Sequence, residues 1–214
     1  MTRDAMRSFS LVLLCYAATA CALSRSTDGP VHTYVLGPAE SAWDGGTQAM
    51  PPGIHGVLVV GLPQAEAGFE QPRIAYVQRP YEVNYYATNQ WADTPARMLV
   101  PLLIHSLEST GLWRAVVPMP TTVRGDYRLD TSGLLLQQEF FRQPSRTRIV
   151  LRAQLIDMNE QRVIGARSFE ALEPAPSDDA YGGVLAANRA AAQVLHAVEA
   201  WISSCLKGSG KSNC

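Results

Sequence analysis

Apolar positions along the chain change their period several times, and each change marks an element. His32 to Leu36 alternates before Gly37-Pro38 and predicts a first strand. His55 to Leu62 (HGVLVVGL) is an apolar, β-branched run of strand length, the pattern of a central strand buried on both faces. Arg73 to Gln78 and Glu82 to Ala87 are two short strands, and Arg79-Pro80 between them predicts a hairpin. Met98, Leu99, Leu102, Leu103 and Leu107 then recur at helical spacing behind Asp93-Thr94-Pro95, a good helix start. Pro101 deletes a backbone donor inside that helix and predicts a kink, and Gly111 suits its C-terminal cap.

Trp113 to Val117 is the next strand, and Asp126 to Phe141 is a long β stretch around Gly133. Thr147 to Met158 and Arg162 to Leu172 pair as an antiparallel hairpin across Asn159-Glu160-Gln161. Ser177-Asp178-Asp179 caps a second helix from about Tyr181 to Leu206, with Val184, Ala187, Ala191, Val194, Val198, Trp201 and Cys205 on one stripe. The order predicts an α+β fold: a mixed, mostly antiparallel β-sheet with two main α-helices packed on it.

The N-terminus follows a different logic. Arg3 and Arg7 precede an apolar run, Phe9 to Tyr16, too short to span a bilayer. Ala17, Ala18, Thr19 and Ala20 lead directly to Cys21, which resembles a bacterial lipobox in which the cysteine becomes the lipidated first residue. Ala18 stands where Leu is usual, and Leu14 makes Cys15 a poorer candidate. The competing reading is an ordinary secretory signal ending near Ala20. The lipobox reading divides the chain into a signal peptide (1–20), a lipidated Cys21 with a tether (21–31), a folded domain (32–206) and a tail (207–214). Ala22 after the cysteine favours the outer membrane, with the domain in the periplasm.

Charge and chemistry narrow the function. The formal net charge is −1, and nothing resembles the basic stripe of a nucleic-acid binder. Loss of Arg3, Arg7 and Asp4 with the leader makes the mature chain one unit more negative. Cys205 and Cys214 remain in a compartment where disulfides persist; they form either a bridge or one buried and one frayed thiol. His32, His55, His105 and His196 lie at no metal-ligand spacing, and His105 and His196 read as helix surface. No H-E-x-x-H, C-x-x-C, G-x-S-x-G or phosphate loop occurs, and Asp178-Asp179 reads as a helix cap. The expectation is a protein with no catalytic residue, metal or cofactor. Tyr81, Tyr85, Tyr86 and Trp91 form the one aromatic concentration, either half-buried sheet surface or a docking face for a partner.

Four stretches together resemble the ABC-type transport auxiliary lipoprotein family, which includes the paraquat-inducible Pqi-type lipoprotein. They are Tyr34-Val35-Leu36-Gly37-Pro38; Gly56 to Pro63 with Gln71 to Tyr76; Asn84 to Ala96 (NYYATNQWADTPA); and Ala186 to Trp201 (AANRAAAQVLHAVEAW). The departures are Gln90 where Arg is common, Thr94 between Asp93 and Pro95, and Pro101 within the helix. The resemblance implies an anchored, non-catalytic component beside an MCE-domain protein and an ABC permease and ATPase, in a system moving phospholipid or other hydrophobic molecules between membranes. It leaves homo-oligomerisation open. The alternatives are a general cell-envelope assembly lipoprotein without a transporter, and a hydrolase, for which a nucleophile paired with a base is wanting.

Overall fold

The structure, a computed structural model, describes residues 29–37, 55–207 and 214. The expected signal peptide, Cys21, most of the tether, the loop from Ala39 to Gly53 and most of the tail lie outside the described residues. Among the described residues, eight strands and two helices follow in order: β1 His32–Tyr34, β2 His55–Val60, β3 Arg73–Arg79, β4 Glu82–Trp91, α1 Pro95–Ser109, β5 Trp113–Pro118, β6 Tyr127–Glu139, β7 Arg146–Asp157, β8 Arg162–Pro174 and α2 Ala180–Lys207. Among the described residues no helix is long and apolar enough to cross a membrane.

The α+β class with two helices on a mixed sheet holds, but the antiparallel predominance does not. Four strand pairings are parallel, β1 with β4, β2 with β5, β2 with β6 and β3 with β6. Three are antiparallel, β3 with β4, β6 with β7 and β7 with β8. Alternation within a strand reports which face is buried and carries nothing about the direction of its neighbour.

The sheet forks at β6. One edge of β6 pairs with β7 along nearly its whole length. The other edge is shared: β2 takes the beginning, Leu58 opposite Tyr127, and β3 takes the end, Val77 opposite Glu139. Between them the connector runs beside β6, with Gln64 N–H donating to Thr131 O at 3.0 Å and Glu66 N–H to Leu134 O at 2.9 Å. The β6–β7 ladder shifts register between Ser132 and Leu135, where Gly133 has φ +63°. Only glycine adopts that conformation readily, and the extra residue reverses the strand's phase. Before the bulge Leu129 and Thr131 are buried; after it Leu134, Leu136 and Gln138 are.

α1 begins where Thr94 Oγ1 accepts from Arg97 N–H at 3.4 Å and continues through Pro101. Gly111, at φ +65°, follows its end and donates to Glu108 O. α2 lies across β7 and β8 with α1 beside it. Leu58, Leu129, Ile149, Leu151, Leu155, Val198 and Ile202 are fully buried between these layers, and burying each such side chain is worth ~1.5–3 kcal/mol. Asn188 of α2 ties down the chain leaving β1, accepting from Gly37 N–H at 2.7 Å and donating to Val184 O at 3.0 Å.

Gly183 sits in the first turns of α2 because Gln138 occupies the space a side chain would need. A Cβ there would lie 2.3 Å from Gln138 Oε1. Helix propensity alone makes Gly→Ala stabilising by about 1 kcal/mol. Here the clash with a buried amide reverses the sign, and Gly183→Ala is expected to destabilise the fold by ~1–3 kcal/mol. Urea denaturation checks this; a midpoint equal to or above wild type contradicts it.

Candidate interaction face

Adjacent residues on a strand point to opposite faces, so β4 divides the predicted aromatic cluster. Tyr85 turns to one side, where its hydroxyl donates to Gly68 O at 2.8 Å and the Arg73 guanidinium lies 4.8 Å over its ring. Tyr86 turns to the helix side. Tyr81 stands fully exposed at the β3–β4 hairpin tip, at φ 66°. Trp91 is 2% exposed and belongs to the core, so the docking-face reading fails for it. The strand end carries Trp91 into the core beside Ile74, Leu136 and Ala187 of α2, where a large apolar ring is worth more buried than displayed.

The helix side carries a different aromatic group. The Tyr86 ring lies 4.8 Å from that of Tyr76, and Phe140 meets Tyr76 edge-on at 6.0 Å. Tyr34 of β1 lies 6.1 Å from Tyr181 of α2, and its hydroxyl donates to Asn89 Oδ1 at 3.1 Å. Tyr34, Tyr76 and Tyr86 are half-buried, and Tyr181 is 55% exposed.

A buried amide joins these rings to the start of α2. Gln138 is 2% exposed. Its Oε1 accepts from the Tyr86 hydroxyl at 3.0 Å. Its Nε2 donates to Ser145 Oγ at 2.9 Å and to Asp179 O at 3.1 Å. Ser145 N–H in turn donates to Asp178 Oδ1 at 2.7 Å, and the Thr147 hydroxyl to Gly183 O at 2.9 Å. A buried polar group costs free energy unless paired, and here both ends of the amide are paired.

Asp179 accepts from Gly182 N–H at 2.7 Å and caps α2, while Asp178 clamps the β6–β7 connection. The Ser145 N–H holds the Asp178 carboxyl below the usual carboxylate range. The Gly182 N–H does the same for Asp179. Both are therefore anionic at neutral pH. Burial above all, then the nearby Tyr76, Asp179 and Asp178, pushes the Tyr86 phenol up to about 12.

The remaining predicted positions lie elsewhere. His196 is exposed at a polar cleft of about 220 Å³, which Thr110, Glu199, Ser203 and Lys207 also line. The Ser106 hydroxyl donates to Glu199, whose carboxyl is raised by burial. Among the described residues no three His, Cys, Asp or Glu side chains come together to hold a metal. A disulfide joins Cys205 to Cys214, with Cα atoms 5.3 Å apart. It sets Cys214 against Gly165, where a Cβ would lie 2.8 Å from the Cys214 Cβ.

A family model described as ABC-type transport auxiliary lipoprotein component matches residues 34–199. The fold is similar to the crystal structure of a protein from Xanthomonas campestris. That protein is 23% identical over 83% of this chain and 95% of its own, with a TM-score of 0.65. It is also similar to an uncharacterised protein, 15% identical over 81% of this chain and 99% of that one, with a TM-score of 0.61. At these identities the likeness is one of fold alone. No curated protein matches significantly.

The Tyr86 environment makes a pH prediction. Below about pH 10 the phenol is protonated in the folded and unfolded chain alike, so it adds no pH dependence there. Between about pH 10 and about 12 the unfolded chain releases this proton first, so stability falls with rising pH across that window. In an ultraviolet absorbance titration, the difference between wild type and Tyr86→Phe is expected to show one phenol ionising near 12. A difference curve centred near the ordinary tyrosine value contradicts this.

Proposed function

The chain belongs to the family of ABC-type transport auxiliary lipoprotein components, and we propose that it is the membrane-anchored, non-catalytic auxiliary of an ABC-type lipid transporter. The family match across the folded domain carries this reading. Cys21 supplies the anchor: several acyl chains on one residue, each CH₂ worth ~0.8 kcal/mol in the membrane, make detachment negligible. Ala22 after the cysteine supports an outer-membrane position for the anchor. Residues 22–31 are the tether, and the domain works in the periplasm. The transporter partners are an MCE-domain protein and its ABC permease and ATPase, and the cargo is phospholipid or a similar hydrophobic molecule.

In this reading the chain performs no bond chemistry and acts by geometry. The anchor fixes one end at the membrane, the domain is held within reach by the tether, and a half-buried tyrosine face meets the partner. Tyrosine suits that task because it offers a large, stiff ring with a polar tip. Tyr86, Tyr76, Tyr34 and Tyr181 are held at such a surface by ring contacts and by the Gln138 amide.

Affinity purification from detergent-solubilised membranes tests it, with tagged wild type beside Cys21→Ser. The expected result is recovery of an MCE-domain protein and a permease with wild type, and release of Cys21→Ser into the soluble periplasmic fraction. Recovery of only unrelated envelope proteins after cross-linking would move the reading to a general assembly lipoprotein. Unchanged membrane attachment of Cys21→Ser would overturn the anchor.

A further inference from the structure

We propose that the tyrosine face beside the start of α2 receives an extended, arginine- or lysine-bearing segment of a partner protein. This deepens the reading of the chain as a partner-binding auxiliary and rests on it.

The first ground is the state of the rings. Aromatic faces attract cations, Arg most often. Among the described residues the cation–ring contacts are Arg73 over Tyr85 and Arg167 over Phe169, on rings other than these. Among the described residues no Arg or Lys covers Tyr34, Tyr76, Tyr86 or Tyr181, and the ring of His32 stacks beside Tyr34 at 6.5 Å. The second ground is charge. Asp178 and Asp179 stand at the rim, both ionised at neutral pH. The N-terminus of α2 offsets only about half a unit charge, so the rim stays negative. Three of the hydrogen bonds that hold these carboxylates come from Ser145 N–H, Gly182 N–H and the Ser177 hydroxyl. None of these donors is a cation.

The third ground is backbone. β4 pairs with β3 along one edge, but on the other β1 covers only Asn89 to Trp91. Residues 82–88 therefore present an edge without a strand partner among the described residues, next to Tyr86. An extended segment added there gains main-chain hydrogen bonds, and its alternate side chains reach the rings. An acidic segment would meet two fixed carboxylates, and an uncharged one would leave the rim charge unanswered.

Fluorescence anisotropy with the full chain in detergent tests the proposal, with labelled nona-arginine as the probe. Saturable binding is expected, weakened by added salt. Tyr181→Leu combined with Tyr76→Leu keeps the surface apolar, removes two rings and should weaken binding about tenfold. Tyr181→Leu alone, at an exposed position, should weaken it about threefold. Glu160→Gln, on the distant β7–β8 hairpin, should stay within about twofold of wild type. Equal weakening by Glu160→Gln, no weakening by the tyrosine variants, or equal affinity for nona-glutamate would overturn it. So would displacement of the peptide by phosphatidylcholine vesicles, which would assign the face to a lipid headgroup. Failure here with the MCE-domain protein still co-purifying would remove this inference and leave the transport-auxiliary reading standing.

Discussion

The bulge at Gly133 turns β6 over halfway along its length, and the helix side of the sheet is arranged around that reversal. Without it, the second half of β6 would present residues 133, 135 and 137 to the helices. With it, Leu134, Leu136 and Gln138 face inward. Leu134 and Leu136 extend the apolar core, and Gln138 lands under the first turn of α2. Its amide then fixes three things at once: Tyr86 through Oε1, the β6–β7 connection through Ser145, and the helix start through Asp179 O. Gly183 completes the junction by leaving room for that amide. The same strand also unites the sheet, because β2 and β3 share one of its edges while β7 takes the other.

The helices were legible from the chain because apolar spacing and cap residues agree. Thr94 and Asp179 cap as their side-chain chemistry dictates, and the stripe from Val184 to Cys205 is the buried face of α2. The hairpin between β7 and β8 was legible for the same reason at period two. The phase reversal in β6 was not. Leu134, Leu135 and Leu136 are apolar in succession, so both phases fit and only the glycine's backbone angle decides. Strand direction was equally hidden. β2 reads as buried on both faces, but a parallel neighbour on each edge follows from the path of the chain through α1 and the connectors.

The candidate site was half legible. Tyr85 and Tyr86 are neighbours, and alternation alone assigns them to opposite faces. Trp91 closes a strand that ends in the core. The rings around Tyr86 come from other elements, Tyr76 from β3 and Phe140 from the end of β6, while Tyr34 of β1 forms a separate pair with Tyr181 at the start of α2. Only the fold brings them together. Gln138 carried a signal of its own, a polar residue in phase with Leu134 and Leu136, but its meaning depends on where α2 begins.

The central claim is that partner contact occurs on the tyrosine side of the sheet. The opposite side of β7 is the natural contrast, because Arg152 on it is exposed and alternates with Leu151 and Ala153, which are buried in the core. The direct measurement is photo-cross-linking in intact cells, with a benzophenone amino acid placed at position 181 or at position 152. A cross-link from position 181 to a component of the transport system, with none from position 152, is the predicted result. A cross-link from position 152 alone would contradict the claim and move the interface to the other face of the sheet.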